Sequence, residues 1–206
     1  MHSKKQFRNL LLNIIPPAAT AALAIAVVFA LTVVLTQSAQ AQKPAASAGW
    51  REQVLHSFNE NGMGCVPYDG LIFDVAGNAY STTSLCGAYG EGTVFELTLT
   101  PTATSRTEKV LHNFGHNSDG AQPFASLIFD TAGNLYGTTV LGGIYGGGAV
   151  YELMRSPNAT GGGWREQVLH SFGNGTDGGW PYAGLIFDGA GNLYGTTVYG
   201  GSYGRW

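Results

Sequence analysis

Charge is scarce in this chain. Lysine, arginine, aspartate and glutamate make up 11% of its 206 residues, against about 25% in ordinary soluble domains. No basic block occurs beyond residue 41, which excludes nucleic acid as a partner, because such binding needs clustered positive charge. Cysteine is limited to Cys65 and Cys86, and the absence of a paired-ligand spacing argues against zinc. Ser57 and Ser171 each follow a histidine, yet neither lies in a Gly-x-Ser-x-Gly turn or has a third partner for nucleophilic catalysis. The loops holding Asp119-Gly120 and Asp177-Gly178 supply one carboxylate each, short of the several oxygens calcium takes. Nothing in the sequence implies a metal or a cofactor. Beyond the first forty or so residues no segment sustains a helical period, which leaves an all-β reading.

What is present begins with an export segment. Lys4, Lys5 and Arg8 make a positive start, and an apolar run follows from about Ala18 to Leu35. Ser38-Ala39-Gln40-Ala41 supplies the small-residue pattern of a cleavage site. Residues 1–41 therefore read as a signal peptide and 42–49 as a linker. The alternative is an uncleaved anchor, because the apolar run approaches the roughly 18 residues that span a bilayer; only then is the membrane a partner. Either way the remainder is expected to be secreted or at the cell surface. Beyond Ala41, seven basic residues face thirteen acidic ones, a net charge of −6.

The exported part repeats itself. Val54–Phe58 returns as Val110–Phe114 and as Val168–Phe172, at offsets of 56 and 58. Leu71–Asp74 returns as Leu127–Asp130 and Leu185–Asp188 at the same offsets. A period near 50 points to propeller blades or a related array. In the second copy the expected strands are A, Leu127–Asp130; B, Asn134–Thr139; C, Ala149–Leu153; and D, Trp164–Phe172. The A–B connection, Asp-x-Ala-Gly-Asn, is a hairpin turn that Asp74, Asp130 and Asp188 cap. The expected fold is a β-propeller-like array of four-stranded antiparallel blades. It comprises a D strand at 50–58, repeats at 59–114 and 115–172, and a truncated repeat at 173–206. Closure takes at least four blades, so about two and a half repeats read as a fragment whose open edges invite self-association.

In such a blade the D–A and B–C loops share one end. The C–D linkers at the other end differ freely, whereas the D–A and B–C loops are nearly rewritten each time. Cys65 lies in the first D–A loop and Cys86 in the first B–C loop, where other copies have alanine or glycine. Their shared end predicts a disulfide in an oxidising compartment, worth about 3 kcal/mol in the chain-entropy model. The same loops carry Phe124, Tyr145, Trp180, Tyr182 and Tyr203 beside Asp119 and Asp177, with Tyr68 and Tyr89 at matching positions. Rigid amphipathic rings beside carboxylates suit a sugar. The competing reading is that these rings pack the loops onto neighbouring strands. His56, His112 and His170 read as half-buried D-strand residues.

The unit V-L-H-x-F … D-G-x-x-P … L-I-F-D-x-A-G-N-L-Y-G-T-T-x-x-G-G … G-x-V-x-E-L resembles the Gloeo/Verruco ("GloVer") tandem repeat of bacterial extracellular repeat proteins. The resemblance runs from Trp50 to Gly204; the first copy departs at Met63-Gly64, Ala79 and Ser81. It implies no common enzymatic activity. The function expected is a non-catalytic module that binds a glycan or a cell-surface protein. Two alternatives are a structural surface array and an exported carbohydrate-active enzyme using Asp119 and Asp177 as acid and base.

Overall fold

The computed structural model describes residues 10–15, 51–58, 63–99, 106–156 and 163–201. Residues 11–55 form one compact unit, in which β1 (Leu10–Ile15) pairs with β2 (Arg51–Ser57). The apolar run and the 42–49 linker lie outside the described residues. Among the described residues no helix is long and apolar enough to cross a membrane.

The repeats form the other unit, and it is all-β. Strands β3 (Ile72–Phe73), β4 (Ala79–Thr83), β5 (Thr93–Leu99) and β6 (Arg106–Asn113) make one antiparallel sheet in chain order. Strands β7 (Ile128–Phe129), β8 (Leu135–Thr139), β9 (Ala149–Arg155) and β10 (Trp164–Ser171) repeat it. Strands β11 (Ile186–Phe187) and β12 (Leu193–Tyr194) form the A–B hairpin of the third copy. The first two of these sheets are four-stranded meanders of the kind that builds propeller blades, and among the described residues the sheets do not close into a ring. Strand A is shorter than the four-residue apolar run predicts. Its last residue already belongs to the turn: the Asp130 amide donates to Asn134 O (3.0 Å) and its carbonyl accepts from Gly133 N (3.2 Å).

The sheets are held face against face. Tyr80, Val94 and Phe114 from the first copy meet Leu127, Leu135, Tyr151 and Leu153 from the second in one buried cluster. Phe114 and Tyr151 pack edge to face at 4.9 Å, a geometry that adds to area burial. Strand β4 is buried along its whole length. Threonines stitch each sheet to the following copy: Thr82 Oγ1 donates to Pro123 O (3.4 Å) and Thr138 Oγ1 to Pro181 O (3.3 Å).

The far end of each sheet carries the same lock. Asp74 Oδ1 accepts from the Ala76 and Asn78 amides (2.9 and 2.8 Å), and Oδ2 from Asn78 Nδ2 (2.9 Å). The Tyr80 hydroxyl sits 3.0 Å from Asp74 Oδ2 and 2.9 Å from Glu96 Oε1. Asp130, Asn134, Tyr136 and Glu152 reproduce the arrangement, and Asp188, Asn192 and Tyr194 reproduce its turn. Burial alone would raise the Asp74 and Asp130 pKa values, but the bonds from Asn78 and Asn134 outweigh it and hold both below the usual range. Bonds from the Asn192 side chain and amide bring Asp188 down to about 2. Arg155 crosses from the second sheet to the first, donating to the Tyr80 hydroxyl (3.0 Å) while lying over Trp164.

Candidate functional site

The D–A and B–C loops do meet at one end, as strand alternation requires. Cys65 pairs with Leu85, Ala121 with Leu141 and Gly179 with Tyr199 in isolated antiparallel bridges. The Cys65–Cys86 disulfide fastens the first of these junctions, with Cα atoms 5.5 Å apart.

The residue after each bridge is strained. Val66, Gln122 and Trp180 adopt φ of 59°, 56° and 56°, a left-handed region that costs non-glycine residues free energy. Both sides of the backbone hold the conformation in place. The Gln122 amide donates to Glu91 O (2.8 Å) and its carbonyl accepts from Val140 N (3.1 Å). Trp180 repeats this with Gly147 O (2.8 Å) and Val198 N (3.2 Å). A proline follows in every copy and then an aromatic residue, so the strained residue and the proline together aim that ring.

The rings so aimed form a row. Tyr68 and Phe124 meet at 4.8 Å, and Phe124 and Tyr182 at 5.6 Å, so one ring per copy lines up across three copies. Tyr68 is 65% exposed and Tyr182 49%, with Phe124 half-buried between them. Tyr145 is also exposed and shares a crevice with His170 and Asp177. Trp180 is half-buried and packs edge-on against Tyr199 at 4.7 Å, away from the row's ring contacts. Tyr203 lies outside the described residues.

The two loop aspartates hold their own loops. Asp119 is buried; its Oδ1 accepts from the Gly115 and His116 amides (3.1 and 3.0 Å), and Oδ2 lies 2.9 Å from His112 Nε2. Asp177 accepts from the Gly173 amide (3.1 Å) and lies 3.1 Å from His170 Nε2, but remains exposed. Each carboxylate thus works with a histidine of the D strand that precedes its loop rather than with the other carboxylate. Among the described residues no cluster of three histidine, cysteine or acidic side chains could hold a metal ion.

Sequence reasoning missed a feature at the joint between sheets. Tyr89 stacks on His116 at 5.2 Å beside a crevice of about 380 Å³ that Glu166 also lines. The exact recurrence of Trp50–Phe58 as Trp164–Phe172 marks Glu166, but only the packing of successive D strands shows what it faces.

Tandem four-stranded units, joined by repeated loops at one end, define an all-β repeat protein. Residues 44–205 match the Gloeobacter/Verrucomicrobia repeat, and the chain belongs to that family. Searches of curated proteins and of solved structures return no match.

Proposed function

We propose that this is an exported, non-catalytic binding module that presents the D–A and B–C loops to a glycan. The row of Tyr68, Phe124 and Tyr182 carries this reading. Rigid rings with exposed faces, repeated at the spacing of the copies, offer stacking surface to successive units of a chain-like ligand at little cost in side-chain entropy. The strained residue and the proline that precede each ring support it too, because strain maintained in every copy favours a role in positioning. An extracellular address accords with the disulfide and with the basic start, apolar run and small-residue site at the N-terminus.

Glycan-array binding of the purified protein tests the reading. Signal should fall by roughly tenfold or more in a Tyr68→Ala/Tyr182→Ala variant, since each ring contact is worth about 0.5–1.5 kcal/mol. An array without signal, or a variant that binds like its parent, would remove the glycan reading. Capture of a cell-surface protein by the same face would then replace it.

A further inference from the structure

The two joints between successive D strands differ in one carboxylate. At the first, His56 Nε2 lies 2.8 Å from Glu108 Oε2 on β6. That copy has Met63-Gly64 where the others have Asp-Gly, so no aspartate of its loop competes for the ring. At the second joint Asp119 takes His112 at 2.9 Å. Glu166, the counterpart of Glu108, is left without a hydrogen-bonded histidine, and its Oε1, like Glu108 Oε1, is closed off from solvent with no hydrogen-bond partner. Burial raises its carboxyl pKa; His112 opposes this and the Asp119 charge adds to it. A carboxyl with one desolvated, unpartnered oxygen is unfavourable, and Glu166 is half-buried with its remaining surface on a crevice, where a ligand's donors can reach it.

The surroundings specify what sort of ligand. Tyr89, His112, His116, Asp119 and Glu166 line one crevice of about 380 Å³, with Val168 contributing apolar wall. That volume is at the lower end of small-molecule pockets, about 300–1,000 Å³. Tyr89 is 52% exposed and stacked on His116, so it offers a supported flat ring. Asp119 has both oxygens occupied, which leaves Glu166 as the carboxyl able to take a new donor. We propose that this crevice is a subsite for one sugar residue, whose hydroxyls bond Glu166 while its ring lies on Tyr89. It rests on the glycan reading and adds a second point of contact, at the joint between the sheets.

Titration calorimetry of the full chain tests this with neutral hexoses, with their 2-amino counterparts and with glycans positive on the array. Glu166→Gln and Tyr89→Ala should each weaken binding by about tenfold or more, with thermal unfolding unchanged in the isosteric Glu166→Gln protein. The amino sugars separate the donors: preference for them assigns an ammonium to Glu166, equal binding assigns a hydroxyl. If both crevice variants bind like the parent while Tyr68→Ala/Tyr182→Ala loses glycan, the subsite is wrong and the glycan reading stands. If the parent binds no sugar at all, both fall.

Discussion

The first and second copies of the repeat have the same strands in the same order, yet their differences come in matched sets. Where the second sheet has Tyr151 over Gly137, the first has Phe95 and Ser81 at the corresponding positions. A Cβ at Gly137 would run into the Tyr151 hydroxyl and ring. Without that hydroxyl the first copy has room for a serine, which donates to Gly70 O at 3.0 Å. Where the first copy joins its loops by Cys65–Cys86, the second brings Gly142 against the Gly120 backbone, closer than a Cβ would permit. Where the first leaves His56 to Glu108, the second gives His112 to Asp119. The comparison teaches that each substitution is compensated by its immediate neighbours, within the copy or at the joint beside it. The interface between sheets keeps its shape while the loop end acquires individual chemistry.

Exchanges between copies can break or sharpen that account. The largest effect belongs to the disulfide: Cys65→Ala/Cys86→Ala should lose about 3 kcal/mol in chemical denaturation, and reductant should do the same to the parent. Gly137→Ser, a residue natural to the first copy, should cost about 2 kcal/mol by overpacking. Adding Tyr151→Phe should restore most of it, since the Tyr151 hydroxyl is buried without a partner; a double variant as unstable as the single would refute local compensation.

Smaller effects concern the lock and the strained loop. Asp130→Asn should cost about 1.5 kcal/mol at neutral pH through lost charge-assisted bonds. Because the folded pKa of Asp130 lies below its unfolded value, its contribution is complete above about pH 4 and lost as pH falls through the folded value. Stability measured against pH should therefore be flatter on the acid side in the variant. Val66→Gly should gain up to about 1 kcal/mol by relieving left-handed backbone, measured as a higher denaturation midpoint.

Much of this was legible before any coordinates. Repeated landmarks gave strand order, and alternation of loop ends paired Cys65 with Cys86. Other parts were not, for physical reasons. The Asp-x-Ala-Gly-Asn turn is written locally, but the closing bond from Tyr80 to Glu96 joins residues 16 apart across two strands. Left-handed Val66 and Trp180 carry no propensity signal; their φ is imposed by hydrogen bonds to the neighbouring loop. Asp119 read as available to a ligand because its burial depends on how the loop folds back over His112. Glu166 in its crevice depends on two D strands 58 residues apart lying side by side.

The most direct test is to titrate the intact protein with an array-positive glycan while following the tyrosine rings by NMR or fluorescence. Saturable binding that perturbs Tyr68 and Tyr182, and that weakens by about tenfold when both become alanine, is the predicted result. Glycan binding that leaves both rings unperturbed would contradict it.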